Sequence, residues 1–289
     1  MKTSFLFFLI SLVAIQVVAQ RVNRFKDTQT IDAYFRLDPD HKHPLILAHR
    51  GGPGSTDTEN SMTTFDKTAK GLPDAIIEMD VRLTRDSSYV LLHDPTLDRE
   101  SDAKGAVAEW TLADLKKVRL KTLAGELTTQ QIPTFTDILN WNKNRYMLAL
   151  DVKPGTDPLR VMKEVESHQA VHSVFVICYS IAEAQRVRDQ YPTLWLAVGV
   201  NSMPDLDRFE KTPIAMSGRL IALTPQKLQP SSFYERLHKL NIPCSVGTYG
   251  TGQLDEKAMT EAAPGYRELV RQGGDIITTD RPVAVAALF

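Results

Sequence analysis

Ala75-Ile76-Ile77-Glu78-Met79-Asp80-Val81 is an apolar run interrupted by two carboxylates. Read as a strand, its period of two sends Glu78 and Asp80 to the same face. The consecutive apolar residues mean that both faces are covered, as in a parallel sheet flanked by helices. Unpaired burial of two like charges would be very costly. They need either a shared divalent cation or partners such as Arg82 and Arg85, and at this point both readings stand.

Similar runs recur at residues 45–48, 89–92, 146–152, 174–178, 194–199, 220–223, 243–246 and 275–278. Helices are predicted between them, over residues 61–69 with Asn60 as the cap, then 111–118, 134–140, 158–167, 181–190, 232–240 and 266–272. This alternation specifies an α/β chain, and its length and rhythm fit one TIM-type (β/α)8 barrel. The count is nine strand candidates, so one is a short extra strand or a misread segment. A doubly wound sheet is the second architecture, but it usually carries fewer strands, and no GxGxxG follows any strand here. Residues 95–132 break the alternation and are expected to form a small insertion over the barrel mouth.

Composition narrows the function. The chain has 289 residues, 43% hydrophobic and 24% charged, which excludes a disordered chain. A formal net charge of -1 gives no support for nucleic-acid binding. Two cysteines exclude a disulfide scaffold and a four-cysteine zinc site. Residues 1–19 read as a signal peptide: Lys2, an apolar run through Phe5-Leu6-Phe7-Phe8-Leu9-Ile10, then Val17 and Ala19 before a cut ahead of Gln20. The run is short for a bilayer. Residues 20–289 are then expected to be a single exported domain, periplasmic or secreted, with no stable membrane insertion. Export permits a Cys178–Cys244 disulfide; two buried free thiols are the plainer reading.

The chemistry gathers at strand ends. His49 follows Leu45-Ile46-Leu47-Ala48, His93 follows Val90-Leu91-Leu92, and Asp151 closes Tyr146-Met147-Leu148-Ala149-Leu150. Glu78, Asp80 and Asp151 are the metal candidates, and an all-carboxylate set favours a hard cation, Ca²⁺ or Mg²⁺. His49 and His93 can exchange protons near neutral pH. Arg50 and Lys153 each neighbour one of these groups and suit phosphate oxygens. Together they suggest phosphoryl transfer. No GxSxG elbow is present, and neither cysteine has a persuasive neighbouring base.

The ordered set Ala48-His49-Arg50-Gly51-Gly52, Thr58-Glu59-Asn60-Ser61, Ile77-Glu78-Met79-Asp80-Val81-Arg82, Leu92-His93-Asp94-Pro95, Leu150-Asp151-Val152-Lys153 and Thr278-Thr279-Asp280-Arg281-Pro282 resembles the glycerophosphodiester phosphodiesterase family. The resemblance spans nearly the whole chain after residue 20. It implies a TIM-type barrel and metal-dependent hydrolysis of a small-molecule glycerophosphodiester. His49 and His93 match the acid/base pair, Glu78, Asp80 and Asp151 the metal ligands, and Arg50 and Lys153 the phosphate contacts. Glu59 matches a glutamate that binds metal or orients the site. In related enzymes the free glycerol hydroxyl attacks phosphorus, expels the head-group alcohol, and leaves a cyclic phosphate that water opens. The chain departs at Asp151, where many relatives carry glutamate, and at Ser245-Val246-Gly247-Thr248-Tyr249-Gly250, where a Trp-Thr pattern is common and Tyr249 is the pocket candidate. Glu100-Ser101-Asp102 replaces the usual Thr-Thr. Two alternatives follow: a phospholipase D- or sphingomyelinase-like enzyme forming cyclic phosphate, and a noncatalytic phosphodiester-binding barrel.

Overall fold

The computed structural model describes residues 23–38, 40 and 42–289. The expected signal peptide therefore lies outside the described residues. Eight parallel strands close into a barrel: β1 (Leu45–Ala48), β2 (Ile76–Leu83), β6 (Met147–Val152), β7 (Val174–Cys178), β8 (Trp195–Gly199), β9 (Leu220–Thr224), β10 (Cys244–Gly247) and β11 (Ile276–Thr279). Closure comes from β1, which pairs with both β2 and β11. The ninth sequence candidate is β3 (Tyr89–Leu91), which runs antiparallel to β2 outside the closed ring.

The alternation along each strand builds two cores. On β6, Met147 and Ala149 face the barrel interior with Leu47, Ile76, Phe175 and Trp195, while Leu148, Leu150 and Val152 face the helices. On β2, Ile77, Met79 and Val81 likewise face the helical layer. Glu78 and Asp80 are thereby left to the interior, above Ile76. A short helix, α1 (Thr28–Tyr34), seals the floor. Phe35 meets Phe175 edge to face at 5.6 Å and the tilted Trp195 ring at 4.6 Å between centroids, and Asp32 accepts bonds from Trp195 Nε1 at 3.0 Å and Arg219 Nε at 2.9 Å. Burial of an aromatic of this kind is worth about 3–5 kcal/mol against alanine.

The outer helices are α2 (Met62–Gly71), α4 (Phe135–Asn142), α5 (Pro158–Ser167), α6 (Ile181–Gln190), α7 (Met203–Phe209), α8 (Ser231–Lys239), α9 (Met259–Arg271) and α10 (Pro282–Ala286). Helix α2 corrects the sequence reading: its cap is Ser61, whose Oγ accepts from Thr64 N–H, and Asn60 is freed for the site. Helix α9 starts seven residues earlier than predicted, because Pro264 and Gly265 disguise its first half. Packing of Ala262, Ala263 and Tyr266 overrides that local cost.

Between β3 and α4 lies the expected insertion. It contains α3 (Leu112–Leu115) and an antiparallel pair, β4 (Arg119–Lys121) and β5 (Leu127–Gln131). Sequence reading missed both strands, since Leu127-Thr128-Thr129-Gln130-Gln131 carries little apolar signal. The insertion has its own core of Val90, Leu92, Leu97, Val107, Leu115, Val118, Leu120 and Ile132. Leu123 and Ala124 N–H groups bond Asp57 and Ser55 carbonyls, tying the hairpin to the loop after β1. Cys178 and Cys244 are both buried free thiols. Burial pushes the Cys178 thiol up to about 12. Among the described residues, no helix is long and apolar enough to cross a membrane.

Candidate active site

Strand register assembles the carboxylates. Asp80 on β2 and Asp151 on β6 are direct register partners, and Glu78 lies two residues back on the Asp80 face. Neighbouring parallel strands are about 4.8 Å apart, and oxygens of all three carboxylates lie within 4.8 Å of one another. The alternative pairing with Arg82 and Arg85 is not what the structure shows. Arg82 donates from both Nε and Nη2 to the His93 carbonyl, the former at 3.0 Å. Lys153 Nζ instead sits 2.7 Å from Asp80 and 2.6 Å from Asp151. Asn60 donates to Asp80 Oδ2 at 2.6 Å, and its own Oδ1 accepts the Asp80 N–H at 3.0 Å. Tyr179 Oη donates to Asp151 at 2.7 Å.

The three carboxylates of this cluster are not equivalent. Burial works against ionised Asp80, but Lys153 and the bond from Asn60 outweigh it and hold the carboxyl below its usual range. Burial, with Asp80 and Asp151 alongside, pushes Glu78 well above the usual carboxylate range. Two cations face the three carboxylates: Lys153, and Arg50, whose Nε is 3.8 Å from Asp80 Oδ2. A hard divalent cation fits the all-oxygen donor set of Glu78, Asp80 and Asp151.

The turn after β1 brings in the cationic side. Arg50 has φ 49° and is followed by Gly51 at φ 89° and Gly52 at φ 76°. A Cβ on Gly51 would lie 2.7 Å from the Phe65 ring, and one on Gly52 2.5 Å from Pro282. Both glycines therefore serve the left-handed turn and its close packing. The turn aims the Arg50 N–H at Glu78 Oε2, 2.6 Å away, while Nη1 bonds Glu59 at 3.1 Å. Arg50 Nε is buried and has no hydrogen-bond partner.

Each histidine is tied through Nδ1 to a carboxylate. For His49 the partner is Asp280 at 2.9 Å, and Tyr249 stacks on the imidazole at 3.7 Å between centroids and 14° between planes. Burial pushes the Tyr249 phenol up to about 12. For His93 the partner is Asp94 at 2.8 Å. Burial lowers the His93 pKa despite the nearby Asp80 and Asp94. Arg99 binds both Asp94 oxygens, at 2.8 and 2.9 Å, and Glu59 at 2.7 Å. Its bonds and the His93 contact hold Asp94 far below the usual carboxylate range. Glu100 accepts the backbone N–H of His93 at 3.2 Å and of Asp94 at 2.7 Å. Burial, then the neighbouring Glu59, pushes Glu100 up to about 8.

A cavity of about 330 Å³ at the C-terminal ends of the strands gathers these groups. His49, Arg50, Glu78, His93, Asp151, Lys153 and Tyr249 line it, with Leu47, Ile177 and Leu223 as apolar wall. Of the other sequence-predicted site residues, Asp80 is buried beside the lining on Lys153 and Asn60, and Glu59 lies behind Arg50, joined to Arg99 rather than to the three-carboxylate cluster. Sequence reading missed the roles of Asn60, Asp94, Arg99, Glu100, Tyr179 and Asp280. For Asp280 a signal existed: β1 and β11 pair Ala48 with Thr279, so barrel closure makes residues 49 and 280 neighbours.

A sequence model of the glycerophosphoryl diester phosphodiesterase family matches residues 49–218. The crystal structure of a glycerophosphoryl diester phosphodiesterase from Parabacteroides distasonis superposes with a TM-score of 0.82 at 31% identity, covering 91% of this chain and 92% of that one. A glycerophosphodiester phosphodiesterase from Agrobacterium tumefaciens shares the fold, with a TM-score of 0.67 at 22% identity over 84% of this chain and 99% of that one. A glycerophosphodiester phosphodiesterase of Caldanaerobacter subterraneus is 27% identical over 158 residues, covering 52% of this chain and 64% of that protein. The chain spans 64% of the length of the first curated relatives it matches.

Proposed function

This chain belongs to the glycerophosphoryl diester phosphodiesterase family, and on that premise we propose that it hydrolyses glycerophosphodiesters to glycerol 3-phosphate and an alcohol. The observation that carries this reading is two carboxylate-tied histidines lining one cavity with the three-carboxylate cluster. Glu78, Asp80 and Asp151 would hold one divalent cation, Ca²⁺ or Mg²⁺. When bound there, it supplies charge stabilisation to the phosphoryl oxygens.

The chain's own groups do the rest. The buried Arg50 Nε gains an acceptor when a phosphoryl oxygen enters. Lys153 adds a compact positive charge. With Nδ1 occupied on each ring, Nε2 of His49 and of His93 is left to exchange protons. One histidine takes the proton of the attacking glycerol hydroxyl, and the other gives a proton to the departing alcohol oxygen. Reversal of the two roles lets water open the cyclic phosphate. Tyr249 takes the aromatic position beside His49 in the pocket. The apolar segment after Lys2 supports export, with residues 1–19 removed and residues 20–289 acting as one unit; N-terminal sequencing of the exported protein should begin at Gln20.

Phosphorus NMR tests the reaction. The protein would be incubated with glycerophosphocholine, glycerophosphoethanolamine, glycerophosphoinositol, lysophosphatidylcholine and sphingomyelin, each with Ca²⁺, Mg²⁺ or chelator. A cation-dependent glycerol 3-phosphate signal from the water-soluble diesters is expected. Cyclic phosphate from the lipids alone would move the assignment to a phospholipase D-like enzyme, and silence throughout would point to a binding barrel.

A further inference from the structure

Asp255 lies in the turn Leu254–Glu256, between β10 and α9, and touches none of the cavity groups named above. Its carboxylate nevertheless receives donors from three elements. Thr248 Oγ1 lies 2.8 Å and Tyr266 Oη 2.5 Å from Oδ1. Thr279 Oγ1 is 2.9 Å from both oxygens, and the Asp280 backbone N–H donates to Oδ2 at 2.7 Å. The Asp280 N–H can only donate, and a carboxylate lets all three hydroxyls donate to it as well.

Two of these partners lead directly to His49. Asp280, held by its N–H, is the carboxylate on His49 Nδ1. Thr248 precedes Tyr249, whose ring covers the imidazole. Arg281 closes the arrangement from behind, donating to the Leu254 and Lys257 carbonyls at 2.7 Å and to Tyr266 Oη at 2.9 Å. The turn carrying Asp255 is thus pinned to the end of β11 from both sides.

We propose that Asp255 is a positioning residue for His49, clamping Asp280 and the Tyr249 loop together so that the imidazole keeps one tautomer and one orientation. The catalytic half of this proposal rests on the hydrolase reading above; the tautomer half does not. Asn at this position keeps an acceptor for the Asp280 N–H only by turning its NH₂ toward the hydroxyls, which must then send their protons elsewhere, as Thr248 can to the Thr278 carbonyl at 3.1 Å, and the charge-assisted clamp loosens on that side.

The test compares wild type with Asp255→Asn in two measurements. The first is imidazole ¹⁵N NMR of the intact protein, with the His49 signals identified by their loss in His49→Gln. Wild type should show His49 protonated at Nδ1 and protected from exchange, and Asp255→Asn should show mixed tautomers. The second is steady-state hydrolysis of glycerophosphocholine, where kcat should fall about 10- to 100-fold with KM within twofold. Unchanged His49 signals overturn the proposal, whatever happens to kcat. Should Asp255→Asn fail to fold, Thr248→Val and Tyr266→Phe each remove one donor, and both must shift the His49 signals for the proposal to survive. A wild type silent on every diester refutes the hydrolase reading, while the NMR comparison still decides the clamp.

Discussion

His49 leans on an aromatic ring and one carboxylate, whereas His93 sits in a lattice of charges. Around His49 the contacts are the Tyr249 stack and Asp280. Around His93 they are Asp94, Glu100, Arg99 and Arg82, with Glu59 joining this group to Arg50. The first arm is built at the seam where the barrel closes. The second is carried by the insertion, a small unit with its own core. One histidine rests on a single carboxylate and a stack and the other on a network of charges, so substitution should act on them unequally.

The largest expected effect tests whether both arms are needed. His49→Ala and His93→Ala should each lower kcat by about 10²–10⁴-fold, with little change in Tm. Near-normal turnover in either variant would break the two-carrier reading. Next come the carboxylates. Asp280→Asn should lower kcat by about 10²-fold or more by upsetting the His49 tautomer, at nearly constant Tm. Asp94→Asn should lower kcat and Tm together, because it also removes one of the two bonds Asp94 gives the Arg99 guanidinium and the charge behind the other. Equal Tm losses in the two variants would erase the distinction.

A pH measurement sharpens it further. Glu100 has its pKa raised from 4.5 to about 8 in the folded chain. Between those values the folded state holds a proton that the unfolded chain has released, so this group makes stability fall as pH rises through the window. Glu100→Gln should flatten that component, so the variant's Tm rises relative to wild type between pH 5 and pH 8 on the order of a few degrees. Parallel Tm curves would show that Glu100 does not titrate there. The smallest effect belongs to the stack. Tyr249→Ala should lower kcat roughly fivefold, in line with about 1 kcal/mol for an aromatic contact, and Tyr249→Phe less than twofold.

The two arms were also unequally legible. Apolar runs reveal strands and helices, so the eight barrel strands and the strand-end residues His49, Glu78, Asp80, His93 and Asp151 could be read directly. The partners of those residues could not. Asp280 is 231 positions from His49, and only the β1–β11 pairing joins them. Asn60 reads as a helix cap because the preference for Asn at such positions is strong; its actual work is to hold Asp80 from across the site. The charge lattice around His93 hides in a stretch where β4 and β5 carry almost no hydrophobic periodicity.

The floor of the barrel sets a condition on traffic. Below the carboxylates, Leu47, Ile76, Met147, Phe175, Trp195 and Ile276 fill the axis down to Phe35, with nothing more than 4% exposed. Among the described residues, the cavity is therefore closed below. On the proposed hydrolysis, substrate, water and both products would pass the mouth at the strand ends, and a departing alcohol would stand in the path of the water that must follow it. In that proposed reaction, a bulky alcohol should slow the water-dependent step more than the step that releases it.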